Sequence, residues 1–336
     1  MDVIRMATKA TGKGNANEVS TNIAHPANKL STKGKTTMIR VKIYLLLFVA
    51  LFSLSVSAEA QQNSISNGIN YLQAIQLSEG SWSSNIVTEY YATDEILTTL
   101  NYLGQKYTDY TNGINWITSQ SPINVDYISR SIALLDFTGN LNNLISDQNT
   151  DNGWGIGEGF STDILDTALA LSALKSVNYS NQTTISNAVL YLVTDQNTDG
   201  GWGFYAGDDS NVYMTALVLQ TFDMFASTFN IKNSINTAVA YLLEHQNSDG
   251  GFGSSPSTVY ETALSFLAIM NSGQGSTLPL QEAVNYITST QSSDGSWNDD
   301  AYSKALKTIF LTLHIPFVNQ YKIRRVHNAR LPCRVS

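Results

Sequence analysis

The chain has a single cysteine among its 336 residues, Cys333, which lies close to the C terminus. One thiol excludes a disulfide framework within the chain, and it excludes metal sites built from several cysteines. The fold must therefore rest on its own hydrophobic core, and a region of about 255 residues is long enough to build one.

Basic residues are also scarce through most of the chain. Only six Lys and Arg lie between residues 43 and 321, against 25 Asp and Glu, so this segment carries a net charge of about −19. Such a charge repels nucleic-acid phosphates and anionic lipid surfaces. The composition thus argues against nucleic-acid binding and leaves cations, a small apolar or carbohydrate ligand, or an extracellular protein as partners.

Both ends of the chain differ from this acidic body. Residues 43–56 form an apolar run that follows Lys42 and precedes Ser57-Ala-Glu-Ala60, which is the order of a secretory signal peptide. The run is shorter than the roughly 20 residues that cross a bilayer, so we expect no stable membrane span in the mature chain and a secreted or extracytoplasmic protein. The expected segments are a non-native or disordered extension (1–37), a signal peptide (38–60), one domain (61–316) and a disordered or foreign basic tail (317–336).

A repeated segment dominates the rest of the sequence. Five times a glutamine is followed six residues later by an aromatic residue, with glycine between them, in Gln76–Trp82, Gln148–Trp154, Gln196–Trp202, Gln246–Phe252 and Gln291–Trp297. The last four copies recur every 45–50 residues. Such a period indicates supersecondary units that bury their cores only against neighbouring units.

Apolar residues between these segments recur at helical spacing. One set of helices is predicted to end near the glutamines, at 64–76, 111–120, 140–148, 182–196, 232–246 and 278–291. A second, more apolar set is predicted after the turns, at 91–104, 125–137, 163–175, 211–226, 258–271 and 301–313. Because the more apolar helices must be buried on most sides, we predict an all-α fold, an α/α toroid of six helical hairpins with inner and outer rings.

The Gln-x-x-x-Gly-x-Trp segment, followed by Asp166-Thr-Ala-Leu-Ala-Leu171, resembles the repeats of the terpenoid cyclase and protein prenyltransferase superfamily, which includes squalene-hopene cyclases. The resemblance covers about 65–315. The second hairpin departs from the pattern, because Gln120 is followed by Ser-Pro-Ile. The resemblance implies that the repeat residues tie neighbouring hairpins together, namely Gln148, Trp154, Gln196, Trp202, Gln246, Phe252, Gln291 and Trp297.

One segment also has the spacing of a calcium loop, with Asp147, Asn149, Asp151 and Glu158 at the ligand positions. The sixth place of this loop holds Asn152, where a calcium loop has glycine. The repeat explains the same residues, because a residue just past a helix end adopts positive φ and glycine suits that position. We therefore expect no metal and no cofactor.

The resemblance further implies that function lies where the N-termini of the inner helices meet around a central cavity. Alignment of their predicted starts gives a first ring of Tyr91, Asp126, Asp163, Asn211, Thr258 and Asp300. A second ring follows three residues later, with Asp94, Ser129, Asp166, Met214, Glu261 and Ser303. Acidic and hydroxyl residues at helix starts serve as caps, but carboxylates that share a cavity also raise one another's pKa and retain a proton.

These rings supply the candidate site residues. The candidate catalytic residues are Asp163, Asp166 and Glu261. The candidate ligand-binding residues are Asp94, Asp126, Tyr213, Tyr260 and Tyr302, because a tyrosine joins an apolar ring to one polar anchor. The alternative for the tyrosines is packing between inner helices.

Two functions remain open. Cyclases that begin by protonating an alkene carry the donor within Asp-x-Asp-Asp, whereas this chain has Asp163-Ile-Leu165-Asp166, and leucine cannot donate a proton. The zinc ligands of protein prenyltransferases are also missing from the repeats. We expect a toroid that binds an apolar, carbohydrate or protein ligand without the usual cyclase chemistry, and the alternative is an enzyme, either an atypical terpene cyclase or a polysaccharide lyase or hydrolase that uses the acids of the ring.

Overall fold

The computed structural model describes residues 63–84, 87–135, 138–273, 277–293 and 296–297, all within one compact unit, Leu54–Ser336. The predicted signal peptide, the N-terminal extension and the basic tail lie outside the described residues. The predicted inner helix at 301–313, with Tyr302, lies outside them as well.

Eleven α-helices occupy the described part of the chain, and outer and inner helices alternate along it. The outer helices are α1 (63–74), α3 (Thr108–Ser119), α5 (Leu141–Ser146), α7 (Gln182–Thr194), α9 (Lys232–Glu244) and α11 (Thr277–Ser289). The inner helices are α2 (Glu89–Tyr102), α4 (Val125–Leu135), α6 (Ile164–Ser176), α8 (Val212–Phe225) and α10 (Val259–Asn271). A 3₁₀ turn at Thr138–Asn140 precedes the short α5.

Each inner helix packs against the next inner helix, in the order α2, α4, α6, α8 and α10, and against the outer helix that follows it in the chain. Inner helix α6 buries most of its residues, including Ala168, Ala170, Leu171 and Leu174, and leaves Leu165 and Leu169 half-buried. Outer helix α7 buries one stripe, which is the pattern of a helix with one face in water. The prediction of an all-α, α/α toroid is confirmed.

The repeat residues form the same hydrogen bonds in successive hairpins. Gln196 Nε2 donates to the carbonyl of Gly200 (2.8 Å) and to the carbonyl of Ser234 in the next outer helix (3.0 Å). The buried Trp202 donates from Nε1 to the carbonyl of Leu192, ten residues earlier (2.7 Å). Equivalent bonds are made by Gln76, Gln246, Trp82, Trp154 and Trp297.

In the four copies whose turns the structure describes, the residue four positions after the repeat glutamine has positive φ. Gly200 has φ +91°, and a Cβ there would lie 2.4 Å from the carbonyl oxygen of Thr237. Asn152 takes the same position in the second copy with φ +76°. Glycine and asparagine suit this left-handed conformation best, so the repeat selects them for turn geometry.

The ring closes through Gln291 and the first helix. Gln291 Nε2 donates to the carbonyl of Ser64 (3.0 Å), 227 residues earlier in the chain. The buried Ile65 belongs to the main core cluster, whereas Leu72, two turns along α1, belongs to the smaller cluster around Trp82. Helix α1 therefore joins the two ends of the array of hairpins.

Substitution of Gln291 by alanine is expected to lower the free energy of unfolding by about 1–2 kcal/mol, because it leaves the half-buried carbonyl group of Ser64 without this donor. Urea denaturation of the full chain measures this loss. Gln120→Ala is the matched control, because Gln120 donates within its own helix, to the carbonyl of Trp116. Equal losses in the two variants would contradict a role for Gln291 in ring closure.

Candidate functional site

A cavity of about 250 Å³ opens at the N-terminal ends of α4 and α6. Three carboxyl groups are part of its lining, from Asp126, Asp163 and Asp166. Two loops that follow the repeat tryptophans, and the first turn of α6, line the rest with Ile156, Phe160, Ser161, Leu165, Phe204 and Tyr205. The lining of the cavity thus combines acidic side chains with apolar and aromatic ones.

The start of α6 places two of these acids side by side. Asp163 is the N-cap of α6, and its Oδ1 accepts from the backbone N–H of Asp166 (2.7 Å). The backbone of Asp163 donates to the carbonyl of Trp154 (2.9 Å), which fixes the loop between them. Both acids are almost completely buried, and Asp166 Oδ1 has no hydrogen-bond partner.

Burial and mutual repulsion keep a proton on this pair. Burial, followed by the charge of Asp163, raises the pKa of Asp166 to about 8, and burial also raises the pKa of Asp163. A protonated Asp166 donates to Asp163, which favours one shared proton over two separate charges. A neutral carboxyl group is therefore available beside the cavity at pH 7.

Arg130 contacts three acidic side chains, one of which, Asp126, also lines the cavity. Its Nε donates to Asp126 Oδ1 (2.6 Å), and its Nη1 lies 3.7 Å from Asp94 Oδ2 and 3.8 Å from Glu95 Oε2. Its Cζ lies 3.7 Å from the ring centroid of Tyr91, whose hydroxyl accepts from Nη2. The Arg130 side chain is only 10% exposed, so these are buried interactions.

One guanidinium group does not neutralise three carboxylates. Burial raises the pKa of Asp94 to about 7 against the opposing effect of Arg130, and burial also raises the pKa of Glu95. Asp94 Oδ1 has no hydrogen-bond partner. The Arg130 cluster, defined as Arg130 with Asp94, Glu95 and Asp126, is therefore poised between charge states near neutral pH.

The two candidate tyrosines within the described residues, Tyr213 and Tyr260, lie near the Arg130 cluster and do not line the cavity. The rings of Tyr213 and Tyr260 are 5.9 Å apart, and the hydroxyl of Tyr213 is hydrogen-bonded to Tyr91. Tyr90 stacks on Tyr127 with centroids 4.3 Å apart. These side chains pack between neighbouring inner helices, which is the alternative that the sequence left open.

Glu261 caps its own helix. Its backbone N–H donates to Thr258 Oγ1 (3.1 Å), and the Thr258 hydroxyl donates to Glu261 Oε2 (2.7 Å). This local pairing resembles a capping box. Glu261 is absent from the lining of the cavity, so the structure brings together Asp126, Asp163 and Asp166 but leaves Glu261 apart.

The helix starts correct the alignment of the two rings. Helix α2 is capped by Thr88, and Asn124 Oδ1 accepts from the third residue of α4, Tyr127. Tyr91 and Asp126 therefore lie inside their helices and are not in the first ring. In the corrected alignment Asp126 lies two residues after the cap of α4, and Leu165 lies two residues after the cap of α6. A carboxylate therefore occupies in α4 the position that leucine occupies in α6.

Sequence reasoning missed several residues of this region. Arg130 follows Asp126 by one helical turn, and this i,i+4 spacing was a readable signal for their ion pair. Glu95 had no such signal. The aromatic residues Phe160, Phe204 and Tyr205 reach the cavity from loops, and their positions depend on contacts between hairpins.

The part of the chain that the structure describes holds no group of three His, Cys, Asp or Glu side chains placed to bind a metal ion. Asn149 and Asp151 of the calcium-like segment are engaged within their own loop. Asn149 Nδ2 donates to Thr162 Oγ1 (2.9 Å), and Asp151 Oδ1 accepts from the same hydroxyl (2.7 Å). Within the described ranges, no helix combines the length and hydropathy required to cross a bilayer.

Comparison with known proteins agrees with this architecture. The model of the squalene-hopene cyclase C-terminal domain matches residues 207–316. The structure is similar to ent-copalyl diphosphate synthase from Streptomyces platensis, with a TM-score of 0.53 and 17% identity over 67% of this chain and 50% of that chain. The protein has a terpenoid cyclase-like fold. No curated protein sequence matches the chain.

The terpenoid cyclase-like toroid is also similar to a possible member of the GH105 family from Salmonella enterica, with a TM-score of 0.55 and 12% identity over 78% of this chain and 95% of that chain. Type II terpene cyclase MstE from Scytonema aligns with a TM-score of 0.47 and 15% identity over 77% of this chain and 99% of that chain. At these identities the likeness establishes the fold alone. Activity must be argued from the site.

Proposed function

We propose that this protein is an extracytoplasmic toroid that binds a small, largely apolar ligand with one polar head group, in the cavity at the starts of α4 and α6. The observation that supports this most is the mixed lining of the cavity, which combines apolar and aromatic side chains with three carboxyl groups. Apolar and aromatic side chains suit the body of such a ligand, and buried carboxyl groups suit its head. The apolar run at 43–56, with its flanking residues, supports export.

Leu165 supports binding without the usual cyclase chemistry. It lies in the cavity wall at the place where the resembling motif has its proton donor. Its side chain adds apolar surface and has no proton to give. A bound prenyl chain would therefore meet a hydrocarbon group where an acid is required for the familiar first step.

The size of the cavity limits the ligand. About 250 Å³ lies below the roughly 300–1,000 Å³ of pockets that enclose drug-sized ligands. A short prenyl chain, or one end of a longer chain, suits this space. Geraniol, a small prenyl alcohol, is therefore the first probe.

Leu165→Trp is expected to weaken geraniol binding to the full chain by at least about tenfold, because the larger side chain fills the cavity. Isothermal titration calorimetry measures the dissociation constant. Leu190→Trp is the matched control, because Leu190 lies exposed on outer helix α7. Unchanged binding in Leu165→Trp, or binding of oligosaccharides but not geraniol, would overturn the proposed ligand class.

The second candidate function is acid catalysis, and the buried Asp166, whose Oδ1 has no hydrogen-bond partner, favours it. A carboxyl group with a pKa of about 8 is a proton donor at neutral pH. The test is incubation with the terminal epoxide of geraniol, followed by mass spectrometry and chromatography of the product. Ring opening or cyclisation that Asp166→Asn abolishes would establish catalysis, and an unchanged epoxide would exclude this reaction.

A further inference from the structure

We propose that the polar head group of the ligand is a cation, specifically the ammonium group of a short prenyl or alkyl amine, held by Asp163 and Asp166 and covered by the aromatic residues of the two loops. This inference rests on the proposed function and names the class of ligand for the same cavity. Three independent features of the cavity support it.

The first feature is charge. The cavity is lined by three carboxyl groups and by no Lys, Arg or His side chain. The guanidinium group of the neighbouring Arg130 cluster is already engaged by Asp126, Asp94 and Glu95. An anionic head group would meet uncompensated repulsion at the cavity wall, whereas a cationic one would be attracted.

The second feature is the free oxygen of Asp166. This side chain is 98% buried, lines the cavity, and has no partner for Oδ1. A buried acceptor without a donor is costly, and the cost is removed when a ligand supplies an N–H group. An ammonium group offers three donors and no acceptor, which matches a wall of carboxylate oxygens.

The third feature is the aromatic cover. Phe204 and Tyr205 form an edge-to-face pair with ring centroids 4.8 Å apart, and Tyr205 and Phe160 are about half exposed or more. Aromatic rings attract a cation through their faces, and the attraction is stronger where the cation is shielded from water. The exposure of these rings leaves them accessible to a ligand that enters the cavity.

An ammonium group at this position replaces the proton that the acid pair retains. Three charged groups influence the pKa of Asp166, namely Asp163 at the same helix start and Asp126 and Arg130 of α4. Tyr191 of α7 interacts in turn with Asp163. Since the pKa of Asp166 is about 8, a cation must displace its proton at lower pH. Affinity should therefore rise with pH up to about 8.

The experiment is calorimetric titration of the full chain with geranylamine, geraniol and geranyl diphosphate at pH 6, 7 and 8. Geranylamine is expected to bind most tightly, and its affinity should increase at least about tenfold from pH 6 to pH 8. Titrations at pH 7 in phosphate and in Tris, whose ionisation enthalpies differ, should report release of a proton on binding. The affinity for geraniol should fall with rising pH or not change with pH.

Two variants complete the test. Asp166→Asn should weaken geranylamine binding at pH 8 by at least about tenfold and remove proton release, while geraniol binding persists. Asp223→Asn is the matched control, because Asp223 is a half-buried acid whose Oδ2 is buried without a partner and whose pKa is raised to about 7, but it is not in the cavity lining.

The outcomes separate this inference from the proposed function. Geraniol binding that equals or exceeds geranylamine binding, without proton release, would overturn the cationic head group and leave the apolar-ligand proposal standing. Tightest binding of geranyl diphosphate would overturn the cationic head group as well. Absence of binding by all three probes would overturn both proposals. Equal effects of Asp166→Asn and Asp223→Asn would show that buried charge in general, and not this site, controls binding.

Discussion

Replacement of Arg130 by methionine is expected to lower the free energy of unfolding by about 3–5 kcal/mol at pH 8. Arg130 is 10% exposed and lies within 3.8 Å of Asp126, Asp94 and Glu95. Removal of the guanidinium leaves three buried carboxylates without their cation. Exposed ion pairs, by contrast, contribute only about 0–1 kcal/mol to stability.

The loss in Arg130→Met should shrink as the pH falls to 5, because the orphaned carboxyl groups become neutral by binding protons. Urea denaturation at both pH values measures the difference. Arg130→Lys retains the positive charge but not the planar guanidinium group, so an intermediate loss of stability is expected. Lys175→Met, which removes a cation near the ring of Phe225 at the other end of the inner helices, is the control. A loss that does not depend on pH would contradict the electrostatic explanation.

The second large effect is a decline in stability of the unmodified protein as the pH rises from 5 to 8. The pKa of Asp166 is raised to about 8, and the pKa values of Asp94 and Asp223 are raised to about 7, in each case chiefly by burial. The unfolded chain loses these protons near pH 4, so between pH 4 and pH 8 the folded state holds more protons. Stability therefore falls with rising pH through this window and levels off above it.

The expected decline is at least a few kcal/mol, since each carboxyl group that stays protonated only in the folded state lowers stability by about 1.4 kcal/mol per pH unit. Urea denaturation of the full chain at half-unit steps of pH measures it. Asp166→Asn and Asp223→Asn should each make the profile shallower. Glu79→Gln, at an exposed position, should leave its slope unchanged. Stability that rises from pH 5 to pH 8 would show that these carboxyl groups are ionised in the folded protein.

The fold was predictable because the same local sequence signals recur in every copy of the repeat. Glycine at a turn, a glutamine at a helix end and an aromatic six residues later are local signals, and their recurrence leaves few alternatives. The start of α2 was predicted two residues late, because Tyr91 looked like the first residue of the helix. Thr88 caps the helix through its side chain, and this cap was the signal to follow.

The candidate site was predictable only in part. The pairing of Asp163 and Asp166 was predictable from the sequence at the start of α6, because a helix cap involves residues within four positions of one another. The contacts of Arg130 with Asp94 and Glu95 join helices about 35 residues apart, so no local pattern reveals them. Phe204 reaches the cavity because its carbonyl accepts from the backbone N–H of Ile164, a bond between neighbouring repeats.

The bond from Gln291 to Ser64 has a consequence for how the molecule unfolds. Repeat arrays that run open from one end to the other fray from their terminal units, and these units require specialised polar faces to remain soluble. In this chain the last repeat glutamine is bonded to the first described helix. Because this bond ties the first described helix to the last repeat segment, thermal unfolding should begin at α5, the shortest of the described helices, and not at the first or last described hairpin.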